Sequence, residues 1–162
     1  MSDVSQLAKP TAEVPVATEF AALFPHTPVW LQSRQMDERA RTQFLANFTP
    51  AGCGIGFAVL GGAFGEGIDL PGDRLIGAFI ATLGLPQVNP VNEQMKAHMD
   101  TLFGNCCGYD YAYFFPGLQK VVQAAGRVIR TTSDRGSVFL IDSRFAQTKV
   151  KNLLPGWWAL SP

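Results

Sequence analysis

The 162-residue sequence is poor in charge, cysteine and histidine, and it has no long apolar run. Three cysteines, two of them adjacent at Cys106 and Cys107, make neither an even disulfide framework nor a CxxC metal pair, so the expected compartment is reducing and the thiols ordinary. His26 and His98 lie far apart with no cysteine or carboxylate at ligand spacing, and no metal site is expected. No stretch approaches ~18 consecutive apolar residues. The opening MSDVSQLAKPTAEVP also lacks the charged start and apolar core of a secretory signal. The expectation is a cytoplasmic protein with no membrane partner. No glycine is followed by lysine and no GxxxxGK segment occurs, which excludes a Walker A phosphate loop. Repeats and low-complexity tracts are missing as well.

What is present has the make-up of one globular domain: 47% hydrophobic residues and 16 glycines in a chain long enough to close a single core. A disordered tail, a collagen and a disulfide mini-protein are excluded. Basic and acidic residues balance at 13 each but are unevenly placed, with −5 over residues 1–118 and +5 over residues 119–162. Such a split fits a C-terminal quarter that faces an anion, phosphate or nucleic acid, and fits an ordinary solvated face equally well.

Residues 1–17, with Pro10 and Pro15, read as an irregular leader before a short helix near Thr18–Phe24, and residues 18–162 as a single domain. Short apolar runs at Val29–Leu31, Ile55–Leu60, Leu75–Ala81 and Ser137–Ile141 read as strands. Helices are expected over about Met36–Phe48, Val91–Phe103, Pro116–Thr131 and Arg144–Leu154. Strands of three to seven residues alternating with longer helices predict an α/β fold with a parallel sheet and helices on both faces.

Two segments carry candidate chemistry. In LQKVVQAAGRVIR, Leu118, Val121, Val122, Ala125 and Ile129 form an apolar stripe at ~100° per residue, and Gln123, Arg127 and Arg130 cluster on the opposite side. Two guanidinium forks suit the growing charge of a phosphoryl group in a transition state, but the same spacing occurs on ordinary surface helices. Gly126 in a helix interior costs roughly 1 kcal/mol against alanine and calls for a reason. In AVLGGAFGEGIDLPGD, an apolar strand delivers Gly61, Gly62, Gly65 and Gly67, with Glu66 and Asp69, to its carboxyl end, where open α/β sheets bind ligands; a plain glycine-rich turn remains the other reading.

The two segments stand in the order found in the C-terminal motor domain of superfamily 2 DNA helicases. The chain resembles the branch containing DinG, YoaA and XPD, with FGEGIDLPGD (Phe64–Asp73) similar to motif V and QAAGRVIR (Gln123–Arg130) to motif VI. The likeness continues through SDRGSVFLIDSRF and LLPGWW and reaches back to VWLQ, covering about Val29–Trp158. It departs in IATLGLP, where relatives more often have a DKLPF-like sequence.

The resemblance implies a RecA-like open, mostly parallel sheet that works as the second half of a motor, in a fragment of a larger helicase. ATP and Mg²⁺ would be held mainly by an N-terminal helicase domain of the same parent, where that branch also carries its iron–sulfur cluster, with single-stranded DNA as the other partner. Arg127 and Arg130 would bring arginine-finger charge to the γ-phosphate with Gln123 beside them. Gly67 and Asp69 would link the nucleotide state to DNA translocation, with Asp69 the nucleotide-side contact, and Glu66 would organise the arginines at the nucleotide; the polarity would be 5′→3′ and the setting DNA repair. The alternative is a RecA-like module that binds nucleic acid or protein without hydrolysis. Gln32, Thr82 and Arg144 carry groups able to contact DNA or the cleft. Asp37–Glu38 is not an acidic Mg²⁺ box, since the polar SRQM precedes it, and reads as solvated helix. Trp30, Trp157, Trp158 and the Tyr109–Phe115 cluster could stack on bases, but packing is their expected role.

Overall fold

Helix α1 spans Glu13–Leu23 in a computed structural model that describes residues 13–33, 36–62, 70–104, 107–131 and 134–161. It begins five residues earlier than the sequence pattern indicated, so residues 13–17 are not irregular; Pro15 sits in the first turn, where a missing N–H removes no helical bond. The rest of the expected leader, residues 1–12, lies outside the described residues. Phe20 on α1 meets Phe57 with ring centroids 5.9 Å apart, which lays the helix on the strand that carries Phe57.

That pair is β1 (Val29–Leu31) and β2 (Ile55–Phe57), parallel, with Val29 opposite Ile55 and Leu31 opposite Phe57. Between them runs α2 (Glu38–Ala46), started by Asp37, whose Oδ1 accepts the Ala40 N–H at 2.7 Å. Asp37 and Glu38 are thus an exposed cap and first-turn residue. Buried Phe44 packs with Phe48, Trp30 and Leu70 into a small core. Arg74 closes the far end of α2, donating from Nε to Phe48 O at 2.7 Å, just past the helix, and from Nη2 to Leu45 O at 3.2 Å, which also accepts the Phe48 N–H.

The second pair is β3 (Gly77–Ile80) and β4 (Ser137–Leu140), again parallel, with Gly77 opposite Ser137 and Ile80 opposite Leu140. All four strands lie where the apolar runs were, β1 residue for residue and the other three trimmed. Helix α3 (Pro90–Phe103) opens with Pro90 in its first turn and Asn89 as cap. A π-helical turn, Asp110–Phe114, runs directly into α4 (Phe115–Ala125), and the Phe115 N–H donates to Asp110 O. Tyr113 on that turn donates to Glu93 Oε1 of α3 at 2.6 Å.

The main core forms where α4 meets β3. Leu118, Val121 and Ala125 of the α4 stripe join Ile80, Leu83 and Phe114, and Val121 is fully buried. Leu60, at the exit of β2, packs against the same cluster. Gly84, just past β3, has φ +60° and lies so close that a Cβ there would stand 2.7 Å from Leu60 Cδ2. The carboxyl ends of β2 and β3 therefore meet, although hydrogen bonding among the described residues makes two separate two-stranded ladders.

Helix α2 is trimmed by two residues at each end, and two other helices fall well short of their sequence patterns. Helix α4 stops at Ala125 instead of continuing to Thr131, because the N–H groups of Arg130 and Thr131 both donate to Asp134 Oδ2 at 2.9 Å rather than to helical carbonyls. The expected helix over Arg144–Leu154 is a 3₁₀ turn, Ser143–Ala146, followed by the single turn α5 (Thr148–Lys151). Asp142 Oδ1 accepts the Arg144 N–H and caps that 3₁₀ turn, and Gln147 between the two is extended.

Candidate functional site

Both ladders are parallel, so each presents its strand exits together, and open α/β sheets bind ligands at that edge. Gln32, one residue past β1, prolongs the ladder through its N–H to Phe57 O at 2.9 Å, and its Oε1 accepts the Val59 N–H at 2.9 Å. The chain then turns at Val59–Gly62, closed by the Gly62 N–H on Val59 O at 3.0 Å. Gly61 takes φ +78° there, and the side chain of Lys120, from the second turn of α4, lies across it.

At the exits of β3 and β4 stands a polar cluster. The Arg144 guanidinium grips Asp142 with Nε on Oδ1 at 2.9 Å and Nη2 on Oδ2 at 2.6 Å, and Nη2 also reaches Thr82 Oγ1 at 3.1 Å. The side-chain bond from Arg144, helped by its backbone N–H, holds the Asp142 carboxyl down to about 2, and Arg144 is raised in return. The Tyr109 side chain, half-exposed, is close enough to contribute to the field at Arg144. Guanidinium and hydroxyl in one place can hold a phosphate.

The segment read as motif VI does not form one helical face. Gln123 is exposed in the last turn of α4, whereas Arg127 and Arg130 follow the helix end on a turn and a loop. The spacing argument that grouped the three on one side of a helix is therefore corrected by the competing bonds to Asp134. Arg127 N donates to Ala124 O at 3.1 Å, and buried Val128 anchors the turn in the core. The Asp134 carboxyl is lowered, first by the backbone N–H of Arg130 and then by Thr131. Gly126 is the C-cap rather than an interior residue, which removes the helix cost assigned to it. Cationic side chains just past a helix C-terminus also complement its dipole.

Glu66, Gly67 and Asp69 lie outside the described residues, in segment 63–69, bracketed by Gly62 and the buried Leu70. The aromatics divide. Tyr113 and Phe114 are core and Trp158 packs against it; Tyr109 and Tyr111 are half-exposed but stack on Tyr113 and Phe103, as expected of packing residues, whereas Trp157 is 69% exposed. Lys120 is the residue that sequence reasoning passed over. Its signal was available, since positions 120, 123 and 127 fall at i, i+3 and i+7.

Among the described residues no group of three His, Cys, Asp or Glu side chains is placed to hold a metal, and no helix is long and apolar enough to cross a membrane. The whole sequence has three cysteines, one short of the four thiolates that a cluster bound by cysteine alone takes.

A family model described as helicase C-terminal domain matches residues 13–161. The helicase subunit XPD of general transcription and DNA repair factor IIH from Arabidopsis thaliana is 30% identical over 109 residues, 65% of this chain and 14% of the relative. The ATP-dependent DNA helicase chl-1 of Caenorhabditis elegans is 30% identical over 132 residues, 80% of this chain and 15% of the relative. The ATP-dependent DNA helicase DinG of Photobacterium profundum is 35% identical over 85 residues, covering 51% and 12%. A solved structure named XPD helicase superposes with a TM-score of 0.60 at 21% identity, over 82% of this chain and 24% of the other, a likeness of fold. The chain thus spans about one-seventh of the length of these curated relatives.

Proposed function

The chain belongs to the helicase C-terminal domain family, with a RecA-like open α/β fold, and from that premise we propose that it is the second motor domain of an ATP-dependent DNA helicase. The observation that carries this reading is the unbroken family match over residues 13–161, which takes in both the glycine-rich segment and QAAGRVIR. In this reading a first domain, carrying the phosphate loop that this chain lacks, binds ATP with Mg²⁺ and closes on the edge formed by the strand exits. Alone, the chain does not hydrolyse ATP.

Arg127 and Arg130 approach the γ-phosphate from the turn after α4, with Gln123 behind them. A guanidinium suits that task because its delocalised, permanently charged fork can pair with two oxygens at once, adding positive charge where the transition state spreads negative charge. Placement on a turn tied down by Val128 and Asp134 fixes the backbone from which these side chains extend. Glu66, Gly67 and Asp69 pass the closing motion to single-stranded DNA. Arg144 and Thr82, oriented by Asp142, supply a phosphate contact at the exits of β3 and β4. The longer protein carries any iron–sulfur cluster, and the working compartment is the cytoplasm.

Directional unwinding by the longer protein tests the proposal. A duplex with a 5′ single-stranded tail should be opened in the presence of ATP and Mg²⁺, and one with only a 3′ tail should not. Failure to open either duplex would remove the motor reading and leave a non-hydrolysing binding module.

A further inference from the structure

Lys120 and Gln32 converge on the glycine turn at the exit of β2. The Lys120 stem lies flat on Gly61, so that a Cβ there would stand 2.7 Å from Cδ, 2.9 Å from Cε and 3.1 Å from Nζ. Together with φ +78°, this leaves glycine as the residue that lets the ammonium reach the mouth of the turn. From the other side, Gln32 Nε2 lies 3.4 Å from where a Cβ on Gly62 would be, while its Oε1 is already committed to the Val59 N–H and fixes which end of the amide points there. Among the described residues neither Lys120 Nζ nor Gln32 Nε2 has an acceptor.

We propose that Lys120 and Gln32 form an anion site over Gly61–Gly62 that takes one phosphate group. An ammonium brings three donors and a full charge, and the amide adds a fourth donor with a set orientation. The glycines let the Lys120 stem and the Gln32 amide lie against the backbone, so that both donors stand at the strand edge where such folds bind ligands. Lys120 also stands one turn before Gln123 on the same side of α4, so the site extends the surface assigned to the motor cleft. The phosphate comes either from the backbone of single-stranded DNA or from a free nucleotide. This inference rests on the motor reading for its ligand class but not for its geometry.

The test uses the 162-residue chain with two probes. Fluorescein-labelled (dT)20 is titrated by anisotropy over a range of NaCl, and inorganic phosphate and ATP are titrated by calorimetry. Lys120→Met keeps the stem over Gly61 and drops the charge. It should weaken (dT)20 binding roughly fivefold at low salt. It should also lower the slope of log K against log salt by about 0.7, the signature of one lost phosphate contact on a single strand. Lys120→Arg should restore the slope, and Lys120→Gln should repeat the loss should Lys120→Met melt early. A slope that holds while phosphate or ATP binding falls in Lys120→Met also supports the site and makes a free nucleotide its ligand. Unchanged binding of both probes by correctly folded variants, or no binding of either by the unaltered chain, would overturn the site. Directional unwinding is a separate readout, so loss of the motor reading leaves an altered salt slope standing, and the reverse.

Discussion

Arg144 binds both carboxylate oxygens of Asp142, at 2.9 and 2.6 Å, two residues along the chain and just past the end of β4. The pair is not closed on itself, because Nη2 also reaches Thr82, 62 residues away at the exit of β3. A local ion pair thereby joins two strand exits and holds a guanidinium ready at their edge. The Asp142 side chain is mostly covered and Arg144 only partly exposed, so the bidentate pair both orients Arg144 and adds to the stability of the fold.

The acid limb of stability should carry the mark of this pair. Asp142 is held at about 2, below its ordinary value of 3.8, chiefly by the Arg144 side chain. Its contribution is therefore complete above about pH 4 and disappears as pH falls toward 2. Urea denaturation of the chain between pH 2 and 5 should show a fall in stability that Asp142→Asn makes shallower; an unchanged acid limb would mean the carboxylate is not held by Arg144.

At the alkaline end the sign reverses. Tyr113 is raised from 10.0 to about 12, first by its hydrogen bond to Glu93, then by desolvation and by the Glu93 charge. The folded state keeps the phenolic proton that the unfolded chain gives up, so this contribution is present below about pH 10 and is lost on the way to 12. Tyr113→Phe should remove that loss, and ultraviolet titration of the tyrosines should show one fewer late-titrating phenol.

Arg74 ties the segment that follows the glycine-rich stretch to the end of α2 through two carbonyls. Arg74→Ala should cost roughly 1–3 kcal/mol in equilibrium unfolding. Arg74→Lys should recover only part, since one ammonium cannot span both acceptors as the fork does. A neutral Arg74→Ala would show that the carbonyls of Leu45 and Phe48 are equally well served by water.

The strands were legible because short apolar runs bounded by Gly and Pro have few other readings, and β1 matches Val29–Leu31 residue for residue. The end of α4 was not, because it is decided by Asp134 from beyond the helix, a competition that periodicity does not register. The same blindness misplaced Arg127 and Arg130 on a helical face. It missed Lys120 for a different reason, since its importance comes from Gly61, 59 positions away in sequence, and only the fold brings the two together. Thr82 and Arg144 were recognised singly, but their contact across 62 residues needed β3 and β4 to pair. Glu66, Gly67 and Asp69 fall outside the described residues and rest on motif likeness.

ATP turnover by the longer protein bearing Arg127→Ala bears most directly on the motor reading. With DNA and Mg²⁺ present, turnover should fall by about 10³–10⁵, the range that an arginine finger supplies in phosphoryl transfer, while ATP is still bound. Arg127→Lys should fall nearly as far. Turnover within a few-fold of the unaltered protein would contradict the account.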